Sequence, residues 1–427
     1  MKDLFVALFA AVVIAGAAAE DGDRRGIEIT EEEAEPQNAP GRAANAFAVD
    51  LYARLAAEDG NVFVSPFSVH AALAMTYAGA RGQTAEQMAT TLHVAGTDNV
   101  HTAYGQVLKR LNAPPKIGLH RRVGDRLERV MVPAYDLVVA NALWGQQGYP
   151  WKEPFLDLTA THYGAGLNEV DFATDAGEAR VKLNAWIEKR TNAKIQELIQ
   201  PGVLRPTTRL VLTNAVYLKA SWRDDFPKSA TREAPFHVAA GKQVKAPLMH
   251  QKERHGYMQT PTLQALEMAY KGGDLTMVVL LPRAVDGLDA LEKSLTAKRL
   301  YGWLNRLETH EVQVTLPKFE FTGRYGLSKA LRQLGMVDAF TAAADFSGMS
   351  AREKLVLSGV IHQAYVAVDE EGTEAAAATA VMMVGAEMHG DKPEPKVFTA
   401  DHPFLFLVRH RPTGAILFMG RVVNPVQ

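Results

Sequence analysis

The chain contains no cysteine. That excludes a disulfide framework, thiol catalysis and cysteine-rich metal sites. It has no Asn-x-Ser/Thr acceptor for N-linked glycans. It has no G-x-S-x-G elbow and no phosphate-binding P-loop, so two common routes to hydrolase or nucleotide chemistry lack their residues. Charge of either sign is scarcely in excess: 46 Lys and Arg face 48 Asp and Glu, a formal net charge of -2. Such balance gives no field to draw nucleic acid or an anionic membrane, and neither is an expected partner. No apolar run reaches comfortable spanning length. The longest, Leu4 to Gly16, is too short.

That short run has another reading. Lys2 precedes it and Ala17-Ala18-Ala19 follows it, the pattern of a secretory signal cut near Ala19–Glu20. Residues 1–19 are thus expected to be a signal peptide and the mature protein to be secreted, extracellular or periplasmic. Export without disulfides or glycan sites fits a bacterial protein. Residues 20–42 are acidic, carry Pro36 and Pro40, and have too few large apolar side chains to order themselves, so they read as a linker. The remaining 43–427 show no internal repeat and read as one domain.

Within that body, helical and strand patterns are mixed. Phe47, Leu51 and Leu55 recur at helical spacing over 43–57. Residues 68–80 are apolar on every face, the mark of an interior helix. Thr84 with Gln87 three positions on predicts a capping box. Further helices are expected over 181–190, 288–295 and 327–334. Strands are expected over 137–144, 210–218, 275–281, 312–316 and 405–408, several apolar at nearly every position and so covered on both faces. This is an α+β chain.

The most informative segment runs from Val366 to Ala380. A strand-like run ends in Asp369-Glu370-Glu371-Gly372 and passes into Thr373-Glu374-Ala375-Ala376-Ala377-Ala378-Thr379-Ala380. Alanine favours helix, and a short surface helix is one reading. The other is a segment able to leave the surface and become a middle strand. Thr373, Ala375, Ala377, Thr379 and Val381 would then share one face that is small and uncharged, while Glu374 falls on the other. No charge would be buried, and no proline would remove a ladder donor. Gly372 would be the hinge.

Here the sequence resembles the serpins. The hinge E-E-G-T-E-A-A-A-A-T-A is similar to theirs, and so, in family order, are Asn61 to Ser68, Leu212 to Trp222, Leu316 to Phe321, Leu331 to Met336, His402 to Leu407 and Gly414 to Pro425. The resemblance implies a serpin fold of about eight to nine helices around three β-sheets, with an exposed reactive loop at about 370–400. It implies a non-enzymatic, monomeric inhibitor of serine proteases. The attacked loop inserts into the central sheet while still acylated to the protease, which is held as a covalent complex. The family's spacing from the hinge puts the cut bond at Ala386–Glu387, with Met388 the next candidate because the loop is longer than usual around Met388 to Pro395. A small alanine fits an elastase-like pocket and Met388 an elastase- or chymotrypsin-like one.

The resemblance also implies a sheet-opening cluster of Ser65, Ser68, Asn214 and His362, and a sheet top at Trp222 and Glu370, where Glu370 matches a position that pairs with a lysine not identifiable in the sequence. His362 also reads as a satisfied core histidine, and Trp222 as core packing. A non-inhibitory carrier or chaperone of the same fold is the alternative; such members tend to carry bulky, charged or proline residues in the hinge, and this hinge has none.

Two other features are set aside. Lys109, Arg110, Lys116, His120, Arg121, Arg122, Arg126 and Arg129 form a basic run in a neighbourhood where some family members bind polyanions. Asp125 and Glu128 dilute it, and residues 116–132 read as a solvated inserted loop. His250 and His255 miss the metalloprotease spacing by one residue, so neither a metal nor a cofactor is expected.

Overall fold

The computed structural model describes residues 39–123, 126–164, 166–350, 355–373 and 394–427. The chain opens with α1 (Ala39–Leu55), β1 (Val62–Val64), α2 (Pro66–Tyr77), α3 (Gly82–Thr91) and α4 (Val100–Leu111). Next come β2 (Lys116–Val123), β3 (Arg126–Pro133), β4 (Tyr135–Gln146), α5 (Glu153–Tyr163), β5 (Leu167–Val170), α6 (Ala176–Arg190) and β6 (Leu210–Ser221). A strand-rich stretch holds β7 (Arg232–Ala239), β8 (Lys242–Gln259), β9 (Leu263–Ala269) and β10 (Leu275–Pro282). After α7 (Leu288–Ser294) and α8 (Ala297–Leu304) follow β11 (Glu308–Pro317), β12 (Phe319–Gly326), α9 (Ser328–Gln333) and β13 (Leu357–Asp369). The chain closes with β14 (Gly372–Thr373), β15 (Lys396–Thr399), β16 (Phe404–His410) and β17 (Ala415–Val422).

Nine α-helices and three sheets are thus present among the described residues, an α+β architecture. A nine-stranded sheet runs β1-β17-β16-β10-β9-β8-β11-β15, with β7 paired to β8. All eight residues of β10 are buried, because β9 and β16 flank it and side chains cover both faces. A six-stranded sheet runs β12-β13-β14-β6-β4-β5. Helix α2 lies beneath it, and residues 66–76 are all buried, as a helix without a polar face requires. Pro66 starts this helix, where a missing N–H costs nothing. Between the two large sheets Phe63 stacks on Phe406 and Phe418, with ring centroids 5.7 and 5.3 Å away.

Three local expectations are corrected. Helix α1 begins at Ala39, inside the expected linker, with Pro40 in its first turn, where proline is tolerated. Thr84 is not an N-cap. It is inside α3, where its Oγ1 accepts a hydrogen bond from Asp345 N, and Gln87 Oε1 accepts from Val337 N and Asp338 N. Those two side chains fasten α3 to a distant segment. Residues 116–133 form a hairpin, not a loop: β2 pairs with β3 from Lys116↔Pro133 to Val123↔Arg126 as a sheet of its own. Residues 1–38 and 374–393 lie outside the described residues, so the signal-peptide reading and most of the expected reactive loop have no structural description.

Candidate functional site

The six-stranded sheet divides in its middle. From Leu357 to Ala364, β13 pairs in parallel with Leu210 to Val216 of β6. Beyond that point the two strands part, and β14 stands between them, antiparallel to both. Gly372 lies opposite Asp369 and Ser221, and Thr373 opposite Val368 and Ala220. Two residues of the expected hinge are thus already a strand in the cleft.

The turn that delivers them is built by acids. Asp369 Oδ1 accepts from Glu371 N at 2.8 Å and Gly372 N at 3.1 Å, closing a tight reversal after β13. Gly372 has φ +150°, and a β-carbon there would run into the carbonyl oxygen of Ala220 and sit 2.7 Å from Ser221 Cα. Conformation and close approach both require glycine. Thr373 is 2% exposed, and its Oγ1 hydrogen-bonds the Tyr270 hydroxyl at 2.6 Å. Burial pushes the Tyr270 phenol up, so it stays protonated.

Trp222 organises this end of the sheet. Its ring stacks on Tyr270, with centroids 4.5 Å apart, and its Nε1 donates to Asp369 O at 3.0 Å. Its backbone N donates to Glu371 O at 2.9 Å, and Phe226 N donates to Glu370 O at 2.9 Å. Glu370 is 6% exposed, and the lysine it pairs with is Lys318: Nζ lies 2.8 Å from Oε2, while Thr231 Oγ1 donates to Oε1 at 2.8 Å. Burial alone would raise the pKa of Glu370. The hydrogen bonds from Lys318 and Thr231 and the lysine charge together outweigh it, leaving the carboxyl below its ordinary range.

The second part lies under the middle of the same sheet. The structure brings Ser65, Ser68, Asn214 and His362 together, and adds Asn141, which the sequence reading missed. Ser65 N donates to His362 Nε2 at 3.1 Å. That nitrogen is therefore an acceptor, so the ring hydrogen sits on Nδ1 and points to Asn214 Oδ1. Asn214 Nδ2 donates to Ser68 Oγ at 2.6 Å and to Asn141 Oδ1, and Asn141 Nδ2 donates to Ser68 O at 3.1 Å. Tyr325 stacks on His362 with ring planes 7° apart. Burial lowers the His362 pKa to about 3, only partly offset by its bond to Asn214.

Serine, histidine and asparagine together resemble a hydrolytic triad in composition, but the wiring differs. His362 Nε2 is taken by a backbone N–H, and Ser65 Oγ donates to Leu417 O at 2.7 Å instead of to a base. The cluster bridges β13, β6, β4 and the start of α2, and does so only while those strands lie side by side. Ala375, Ala377, Thr379, Ala386, Glu387 and Met388 lie outside the described residues. Among the described residues no three His, Asp or Glu side chains converge as metal ligands, and no helix is long and apolar enough to cross a membrane.

Comparison with known proteins matches residues 42–425 to the family described as "Serpin (serine protease inhibitor)". An uncharacterised serpin-like protein of Thermococcus kodakarensis is 41% identical over 90% of this chain and 85% of its own length. A leukocyte elastase inhibitor of Bos taurus is 40% identical over 90% of this chain and 99% of its own. Among solved structures, Serpin48 of the insect Tenebrio molitor superposes with a TM-score of 0.77 at 32% identity, covering 93% of this chain and 99% of that one. Thyroxine-binding globulin in complex with thyroxine superposes with a TM-score of 0.76 at 29% identity, over 90% and 98% of the two chains.

Proposed function

This chain belongs to the serpin family of serine protease inhibitors, and we propose that it is an inhibitory member, consumed in trapping one elastase- or chymotrypsin-like protease. The observation that carries the reading is the wedge: Gly372 and Thr373 already lie between β13 and β6. Their register also runs in phase with the closed part of the sheet. Thr373 faces Val368 and Ala220; six residues further on in each antiparallel ladder, Thr379 would face His362 and Asn214, which pair with each other now. Insertion would unzip an existing parallel pairing position by position, with no slip. Glu374 would face Lys219 on the open side, and the alanines would pass over the core.

Reactive-loop insertion in serpins is a known instance of strand addition. A strand of roughly a dozen residues, at about 1 kcal/mol net per hydrogen bond, releases on the order of ten kcal/mol, as much as the whole stability of an ordinary domain. The uncleaved form is then held by a barrier and not by equilibrium. That energy is spent on displacing the acylated protease, whose oxyanion hole and triad must stay aligned to deacylate; losing one oxyanion donor alone costs about 3–4 kcal/mol.

Ala386–Glu387 as the cut bond, with Met388 next, favours small or apolar primary pockets. No Lys or Arg occurs from Gly372 to Asp391, which disfavours trypsin-like targets. The bovine relative named as a leukocyte elastase inhibitor supports the same choice. Residues 1–19 direct secretion on this reading. Mixing the protein with an elastase is expected to give an adduct of summed mass that survives boiling in SDS. A cut loop with fully active free protease would instead favour the carrier reading, to which the thyroxine-binding relative lends its fold.

A further inference from the structure

The hairpin of β2 and β3 pairs with neither large sheet. A lone two-stranded ribbon is marginal in water, so it depends on what its apolar face covers. Ile117 lies directly opposite Val132 and Leu119 opposite Val130, which puts all four on one face. Ile117 packs on the main core, yet Ile117, Leu119 and Val132 are all only half-buried. Ile117, Leu119 and Val132 line a cavity of about 610 Å³ whose other apolar walls include Leu111, Tyr135 and Leu137. Ligand pockets typically span about 300–1,000 Å³.

The cationic groups of the cavity include one on β6 near its end. Lys219 and Lys271 line it, against one acid, Asp136. Asp136 sits across the strand pair from Lys219, yet among the described residues Lys219 makes no ion pair. Lys271 reaches Asp225 only at 3.5 Å, leaving donors to spare. Leu111 and Asn112, at the C-terminus of α4, also line the cavity, and Leu111 O accepts from the Tyr135 hydroxyl at 3.4 Å. An anionic head is therefore favoured at the lysines and an apolar tail along Ile117, Leu119, Val132 and Leu137. No stacked aromatic pair or glycine-rich loop lines the cavity for a base or a phosphate.

We propose that this cavity binds a free fatty acid, its carboxylate between Lys219 and Lys271 and its tail under the hairpin. Occupancy would add to the packing that Ile117 already gives the hairpin. It would also engage the stretch of β6, Lys219 to Ser221, that borders the wedge, and so slow loop insertion. That consequence rests on the inhibitory reading; the binding does not.

The test is calorimetric titration of the full chain with dodecanoate, without protease, so that failure of the site and failure of the inhibitory reading are separate results. One molecule bound per chain is expected. Lys219→Gln should weaken binding by about fivefold. Ile117→Trp, which narrows the cavity with an indole, should weaken binding while keeping or raising the melting midpoint, and Val132→Trp should do the same if Ile117→Trp fails to fold. Dodecanol and dodecyltrimethylammonium should bind more weakly than dodecanoate. No saturable binding to about 1 mM, a range covering even weak ligands, would overturn the proposal. So would undiminished binding by a folded tryptophan variant, or a cationic amphiphile that binds as well as the acid.

Discussion

Lys318 Nζ stands 2.8 Å from Glu370 Oε2 at the point where β13 turns towards the expected reactive loop. The acid is nearly enclosed and the lysine about one-third exposed, so the pair is screened on one side only. Lys318→Ala would leave Glu370 with Thr231 as its side-chain partner. A loss of about 1–3 kcal/mol is expected, the cost of a buried charge deprived of one strong partner. A lowered melting midpoint of the uncleaved protein measures it; an unchanged midpoint would mean the pair is dispensable.

Gly372 is the second constraint on the same turn. Its φ of +150° and the collision any β-carbon would have with Ala220 make Gly372→Val incompatible with β14 in its present place. Strain of about 1–3 kcal/mol is expected, relieved by expulsion of the hinge from the sheet. Faster proteolysis after Thr373 together with a lower melting midpoint would report that expulsion. Wild-type behaviour in both would contradict the turn geometry.

Thr373→Arg should convert inhibitor to substrate. The side chain is 2% exposed against Tyr270, and an arginine there cannot stay in the sheet, where further insertion must start, without burying its charge. The ratio of turnover to trapping should rise by about tenfold or more, since delaying insertion by even 1.4 kcal/mol shifts it that far, and the moles of inhibitor consumed per mole of protease, one plus that ratio, should rise with it. Unchanged stoichiometry would mean that the inward-facing place of Thr373 in the sheet is not needed for insertion.

His362 makes the fold acid-sensitive. Its ordinary pKa of 6.5 falls to about 3 in the folded chain, chiefly through burial. As pH drops below about 6.5 the unfolded chain takes up a proton that the folded chain refuses, so stability is full above 6.5 and declines as pH falls towards 3, by about 1.4 kcal/mol per unit. His70, also buried and lowered to about 4, acts in the same direction. The melting midpoint should fall steadily from pH 6.5 to pH 4, and His362→Gln should flatten part of that slope. A midpoint independent of pH over that range would mean that His362 is protonated in the fold.

Much of this arrangement was legible from local pattern, and the exceptions share a cause. The apolar runs at Leu210 to Leu218 and Leu275 to Leu281 are strands because burial on both faces leaves that signature along the chain. The hinge tract stood out by its small side chains. Asn141 gave no signal, since one asparagine in a strand acquires meaning only when Ser68 and Asn214 come to meet it. The partner of Glu370 was unreadable for the same reason: Lys318 is close only after β12 lies alongside β13. Thr84 and Gln87 have the spacing of a capping box, yet tertiary donors near Asp345 and Val337 won their oxygens. In β2 and β3, the alternation of Ile117 and Leu119 with Val130 and Val132 was hidden among basic residues that read as a solvated loop.

The structure of the loop-cleaved protein tests the central claim most directly. The account predicts a new strand between β13 and β6, antiparallel to both, with Thr379 opposite Asn214 and His362, and with the direct pairing of Val211–Val216 to Gly359–Ala364 gone. If cleavage leaves those strands paired with each other as they are now, the chain does not trap proteases by insertion.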